Sequence, residues 1–432
     1  MSTRQVVPRG PFRCDAAVPP DKSLTHRAVL LAAMGRGESL IRNPLESADT
    51  LATMAAVEAL GASLERLPEG LRVEGTGGAW LTPAGEIDAM NAGTAARLLL
   101  GALAGGPAAA TLTGDASLRS RPMGRVIEPL RAMGAEVREL GEAGRLPVRV
   151  RGRALHGERH VIGVASAQTK SALLLAGLAA LGRTEVHLPA KTRDHTEILL
   201  AAMGAPLTRL PNPAGESVAV EGPFTLPALG TFEVPGDPSS AAFLAAAAVL
   251  TGGEARLRGV LLNPRRTGFF AALREMGAFV EASDLERGGE AVGDLTVWGE
   301  LTSPIDIGAA RVPDLIDELP LLAVLMALAP GTSRVRGAAE LRLKESDRIT
   351  AMAEGLCAMG AEVRERPDGW DILGPSRLHG AHLDGRGDHR VGMALAVAAL
   401  AARSTSLISD AAEDVSFPGF FGVLGQDGGL SA

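Results

Sequence analysis

Residues 21–28, DKSLTHRA, place Lys22, Ser23, Thr25, His26 and Arg27 at the head of the apolar run AVLLAAMG. Five other apolar runs open on similar clusters: Asn91, Gly93 and Thr94 with Arg97; Ser166, Ala167, Gln168 and Thr169 with Lys170; Asp237, Ser239 and Ser240; residues 314–318; and Asp388, His389 and Arg390. A helix cap needs only one Ser, Asp or Asn. It does not need Lys or Arg, because the positive end of the helix dipole disfavours cations by a few tenths to about 1 kcal/mol. Free N–H groups, the dipole and nearby cations together make an anion site. Six such starts facing one cleft predict a ligand with several negative charges. Three further segments add charge: DASLRSRPM (115–123) with Arg119 and Arg121, KTRDHTE (191–197) with Arg193, and LRLKESDRI (341–349) with Arg342, Lys344, Glu345 and Arg348. Glu345 and Arg348, three apart, are expected on one helical face. Of the 43 basic residues only Lys22, Lys170, Lys191 and Lys344 are lysine. In so arginine-rich a chain, Lys22 and Lys344 mark places that call for a compact ammonium.

The elements that hold these clusters repeat. A helix ending in Met-Gly or Leu-Gly, then a short alternating strand, recurs as EALGASLERL, RAMGAEVREL, AAMGAPLTRL, REMGAFVEAS and CAMGAEVRER, with a weaker sixth copy at GVLGQ. The glycines are Gly61, Gly134, Gly204, Gly277, Gly360 and Gly425, a period near 72 that fits 432 residues six times. Each reads as a left-handed helix C-cap. Upstream lies an Ala/Leu-rich helix, so the unit reads buried helix, strand, amphipathic helix, strand, strand. The sixth copy lacks its last two strands, and two strand-like segments, 5–7 and 12–18, precede the first copy without a partner. Both are therefore expected to complete the sixth unit. The chain then divides into a domain of 1–18 plus 234–432 and a domain of 19–233, with hinge crossings near 18–21 and 226–235.

Composition excludes several classes. The apolar runs rarely exceed about a dozen residues, short of the roughly 20 that span a bilayer. Residues 1–12 lack the apolar core of a secretory signal, and Cys14 and Cys357 stand singly, so a cytoplasmic location is expected, without a disulfide or zinc framework. Net charge of −7, scattered arginines and 3% aromatics argue against nucleic acid.

DKSLTHR, NAGTAARL, DASLRSRPMGR, ASAQTKS, TRDHTE, IDELP, LRLKESDR and DHRVGMA, in this order and in six units, resemble the 5-enolpyruvylshikimate-3-phosphate synthases over almost the entire chain. ASAQ with TRDHTE looks more like class II than class I. The resemblance implies an α/β (α+β) two-domain enolpyruvyl transferase fold, an inside-out α/β barrel with three βαβαββ-type units per domain. The implied reaction transfers the enolpyruvyl group of phosphoenolpyruvate to the 5-hydroxyl of shikimate 3-phosphate through a tetrahedral adduct, with no cofactor or metal. No long apolar surface stripe demands a partner, so a monomer is expected. Carried over by motif, Lys22, Ser23, Arg27, Ser166, Ala167, Gln168, Arg193, Asp317 and Lys344 hold shikimate 3-phosphate. Lys22, Gly93, Arg121, Gln168, Lys344, Arg348 and Arg390 surround phosphoenolpyruvate, and Thr94 and Arg97 share a motif with them. Asp317 is the implied base and Glu345 the implied acid, while Lys22 neutralises charge on the adduct and leaving phosphate. His389 is placed either to assist proton movement or to cap its helix.

Three positions depart from the family pattern. Pro20 stands where Gly usually precedes Asp-Lys-Ser, Ala167 where many members carry a second Ser, and Val415 where class I members carry an active-site Lys. Rival readings fit less well. The UDP-N-acetylglucosamine enolpyruvyl transferases have Lys-Asn where this chain has Lys22-Ser23, and a loop cysteine that neither Cys14 nor Cys357 matches. RNA-terminal cyclases have related units, but the acidic balance counts against RNA. A non-catalytic binding protein would have no use for Asp317 and Glu345 beside the cations.

Overall fold

The structure, a computed structural model, describes residues 3–287 and 289–425. The chain separates into two compact units, one of residues 20–234 together with 287–290, the other of 1–19, 235–286 and 291–432. Each repeat forms the predicted run of helix, strand, helix, strand, strand, except the sixth, whose last element among the described residues is the helix Phe420–Val423. All six repeat glycines adopt positive φ, from 69° at Gly425 to 111° at Gly277, which closes each amphipathic helix as expected.

In the first unit the buried helices are Lys22–Met34, Gly93–Ala104 and Ala167–Gly177. Nearly every side chain along them is buried, because their Ala, Leu and Gly residues leave no polar face. Gly101 shows how close the packing is: a Cβ there would lie 2.1 Å from the carbonyl oxygen of Ala172 on the neighbouring helix. Three small sheets cover these helices. The strand Val148–Arg151 alternates buried valine with exposed arginine, so one face meets the helices and the other meets water. The second unit repeats the plan with Pro238–Thr251, Leu319–Leu328 and His389–Leu400. Its core includes a fully buried Trp370 whose indole N–H donates to the Ile349 carbonyl at 2.9 Å.

Each sheet also contains a short strand lying parallel to the strand that follows a buried helix. Asp306–Ile307 beside Gly331–Val335 and Ile87–Asp88 beside Ala109–Thr113 are examples. This rule corrects the expectation for the N-terminus. The first strand, Thr3–Val6, does complete the sixth repeat, antiparallel to Ser406–Ser409. The second, Arg13–Ala17, instead joins the fourth repeat, parallel to Glu254–Leu261. That place is open because Thr231–Glu233, the strand just before the fourth buried helix, pairs with Arg36–Arg42 of the first repeat. At each crossing the strand stays in the unit the chain is leaving while its helix enters the other. Among the described residues, no helix is long and apolar enough to cross a membrane.

Gly101→Ala is expected to cost about 1–3 kcal/mol, because the added methyl meets backbone rather than a side chain that can turn aside. Urea denaturation against the parent protein measures it.

Candidate active site

Three helix starts in the 20–234 unit carry most of the predicted binding residues. Asp21 caps the first, accepting from the Leu24 N–H at 2.7 Å, and Lys22 and Ser23 are its first two residues. Lys22 directs its ammonium to Asp49, with Nζ 2.9 Å from Oδ2. One turn on, buried Arg27 donates to the Ser23 carbonyl (3.0 Å), to Thr196 Oγ1 (2.8 Å) and to Ser171 Oγ (3.4 Å). Arg27 thus ties this helix to the third helix and to the 191–197 segment that carries Arg193. Ser166 caps the third helix, and Ala167 and Gln168 follow as its first residues.

Gln168 is locked on both sides. Its oxygen accepts from Arg97 Nη1 at 2.7 Å and its amide donates to Thr94 Oγ1 at 2.8 Å. Gly93 opens the second helix, which has no side-chain cap. A Cβ on Gly93 would fall 2.7 Å from Arg97 Nη1 and 3.4 Å from Arg121 Nη1, so the glycine leaves room for two guanidiniums. Arg121 itself donates to the carbonyl and side-chain oxygens of Asn91 and to Ser117 Oγ. Gly93, Arg97, Arg121 and Gln168 therefore form one set, and Ser23, Arg27 and the 166–171 helix start another. The surplus of cations over acids at these starts suits a polyanion.

In the other unit the predicted residues gather on Arg348, which is 1% exposed. Its guanidinium reaches Glu345 Oε2 at 2.6 Å, Asp388 Oδ2 at 2.8 Å and Asp317 Oδ1 at 3.5 Å. Burial works against the charge on Arg348, but Asp388, Glu345 and Asp317 outweigh it and raise the pKa above the ordinary arginine value. Lys344 lies 3.8 Å from Asp317. The surrounding protein and the Arg348 cation lower the Lys344 pKa below the ordinary lysine value, and Asp317 opposes them. Asp388 caps the helix that begins His389-Arg390, accepting from the Arg390 N–H at 2.9 Å, and both following side chains are buried. Glu345 meets Arg348 as expected but for a different reason. It stands in the turn before the helix Arg348–Ala358, after the 3-10 segment Ala339–Leu343, so turn geometry rather than a shared helical face joins them. Asp317 likewise precedes the buried helix, whose N-cap is Glu318. Val415 lies in a 3-10 segment, Glu413–Val415, tied to the N-terminal strand by the ion pair of Arg4 with Glu413.

Comparison with known proteins decides what this arrangement belongs to. The family model described as EPSP synthase (3-phosphoshikimate 1-carboxyvinyltransferase) matches residues 7–424. The chain belongs to the EPSP synthase family. It is 47% identical over 424 residues to the 3-phosphoshikimate 1-carboxyvinyltransferase of Desulforudis audaxviator, covering 97% of each chain. It is 46% identical over 422 residues to that of Limosilactobacillus fermentum, covering 96% of each. Among solved structures, EPSP synthase from Acinetobacter baumannii superposes with a TM-score of 0.86 at 36% identity, over 100% of this chain and 99% of that one.

Two buried groups, Lys170 and Asp49, make ion pairs beside these residues that the sequence did not reveal. Lys170 is fully buried, with Nζ 2.5 Å from Glu197 and 2.8 Å from Glu216. Burial raises the Glu197 pKa, while Lys170 pulls it down. Glu216 also accepts from the N–H and hydroxyl of Thr192, both at 3.0 Å, and so fixes the backbone beside Arg193. Asp49 was not legible at all, since an acid in the first turn of an amphipathic helix is ordinary. The capping pair Ser47 and Thr50 beside it gave no reason to look further.

Lys170→Met is expected to leave two buried carboxylates without a cation and to destabilise the protein by about 3–5 kcal/mol at neutral pH, read by urea denaturation. His26 gives a pH-dependent prediction. Burial lowers its pKa from 6.5 to about 4, against the pull of Asp49, while Lys22 and Arg27 add to the lowering. The unfolded chain therefore takes up a proton below 6.5 that the folded chain refuses until about 4. Stability present above the upper value is lost as pH falls through this window, by about 3 kcal/mol in all. His26→Gln is expected to flatten that part of the stability curve, measured from pH 7 to 4 by denaturant midpoints.

Proposed function

We propose that the side chains at these helix starts divide the work of one group transfer. As an EPSP synthase family member, the chain transfers the enolpyruvyl group of phosphoenolpyruvate to shikimate 3-phosphate and releases phosphate, in aromatic amino-acid biosynthesis. In the proposed assignment Ser23, Arg27, Ser166, Ala167, Gln168 and Arg193 hold shikimate 3-phosphate, with Lys22, Asp317 and Lys344. Lys22, Gly93, Arg121 and Gln168 surround phosphoenolpyruvate with Lys344, Arg348 and Arg390. Two phosphates and two carboxylates are the polyanion that these cations suit.

Asp317 takes the proton from the 5-hydroxyl as its oxygen bonds to C2 of phosphoenolpyruvate. Glu345 gives a proton to the methylene carbon, which becomes a methyl group in the tetrahedral adduct. Elimination then returns a proton from that methyl as the C–O bond to phosphate breaks. General acid–base groups of this kind contribute about 10²–10⁴-fold each. Lys22 balances negative charge on the adduct and departing phosphate, a role typically worth a few kcal/mol. The observation that carries the reading is Arg348: one buried guanidinium contacts both proposed proton-transfer carboxylates, at 3.5 Å and 2.6 Å, and is itself anchored by Asp388. The reading takes the crossings near 18–21 and 226–235 as the hinge of a two-domain enzyme. It further takes the enzyme as a cytoplasmic monomer of class II type that does not bind nucleic acid: the net charge of −7 counts against nucleic acid, the free Cys14 and Cys357 suit the cytoplasm, and ASAQ with TRDHTE suits class II.

Phosphate release by the purified protein tests the reading. Release is expected only with both substrates, and Asp317→Asn and Glu345→Gln are each expected to lower it by about 10²–10⁴-fold. Release from phosphoenolpyruvate alone, or full activity in either variant, contradicts the assignment. A second test concerns glyphosate, an expected inhibitor at the phosphoenolpyruvate site. A methyl on Gly93 falls 2.7 Å from Arg97 Nη1, so Gly93→Ala forces that guanidinium aside. The variant is expected to raise the glyphosate inhibition constant more than the KM for phosphoenolpyruvate, and equal increases refute it.

A further inference from the structure

Lys22 begins a helix, where its charge is disfavoured, and its flexible four-carbon stem leaves the ammonium poorly placed unless something holds it. Asp49 is in position to do so. It lies in the first turn of the helix Ala48–Ala59, is 4% exposed, and its carboxylate stands 2.9 Å from Lys22 Nζ. It is not needed to cap its own helix, since the Ser47 N–H donates to Thr50 Oγ1 at 2.9 Å in a capping box formed by those two residues. One turn further along both helices a second rung forms, His26 Nδ1 to Thr53 Oγ1 at 2.7 Å. Lys22 and His26 on one helix thus face Asp49 and Thr53 on the other, so the inner rung fixes the register at which the outer rung meets. Burial keeps His26 uncharged down to about pH 4, so no second cation on this ladder draws Asp49 away from Lys22.

We propose that Asp49 is a positioning residue for the enolpyruvyl transfer, acting through Lys22: its carboxylate sets where the Lys22 ammonium is presented to the anionic substrate. The inference rests on the role assigned to Lys22 above and adds the group that directs it.

The test is a double-mutant cycle on the full chain, with kcat and KM for both substrates measured in the parent, Asp49→Asn, Lys22→Met and the double variant. A residue that acts only through another loses its effect once that other is gone, whereas a general structural role persists. Asp49→Asn is expected to lower kcat about ten- to a hundredfold in the parent, and by less than about twofold in the Lys22→Met background. Losses that multiply, or an Asp49→Asn variant with parental kcat, overturn the proposal while leaving the Lys22 assignment intact. A Lys22→Met variant with parental kcat overturns both. Circular dichroism checks the fold, and if Asp49→Asn does not fold, Asp49→Glu carries the same cycle with the charge retained.

Discussion

A cation at the positive end of a buried helix is held against both desolvation and the helix dipole, so it needs a counter-charge or a set of hydrogen-bond acceptors to hold it there. Much of the polar architecture answers that constraint. Lys22 is met by Asp49, Arg348 by Asp388, Glu345 and Asp317, and Lys170 by Glu197 and Glu216. Away from the proposed site the same device recurs at the fourth buried helix, where Arg266 pairs with its cap Asp237 at 2.8 Å, both side chains 2% exposed. Replacing such pairs with apolar residues is often neutral or favourable for stability, whereas breaking one of them is not.

The constraint also orders the site. Because Arg97, Gln168 and Thr94 are bonded in series, the glutamine amide has one orientation. Because Arg27 reaches Ser171 and Thr196, the start of the third helix and the segment with Arg193 are placed together. Glycine at position 93 belongs to this set for steric reasons, as the space a methyl would take is occupied by guanidinium nitrogens. A preorganised set of donors needs little rearrangement when charge develops on a substrate.

The repeat was legible because its signal is local: a left-handed glycine after each amphipathic helix is dictated by backbone sterics and returns about every 72 residues. The helix starts were legible because cations there contradict a simple rule. The second N-terminal strand was not, since Arg13–Ala17 pairs with residues 254–258, and nothing in a five-residue alternating stretch encodes which distant strand it will meet. Glu345 was recognised as the partner of Arg348 but misplaced on a helix, because an i,i+3 spacing also fits a turn. Asp49 escaped because its role depends on a neighbouring helix rather than on its own sequence surroundings.

The exchange of strands at the two crossings has a consequence for how the chain is made. All strands of residues 20–234, the last being Thr231–Glu233, are made before the fourth buried helix, Pro238–Thr251, follows. The Thr3–Val6 strand is synthesised before any of these residues, and its partner, Ser406–Ser409, only after all of them. Its edge stays unpaired while everything between the two is made, the condition in which strands find wrong partners. Residues 20–234 can begin to mature on the ribosome, while Thr3–Val6 must wait for Ser406–Ser409.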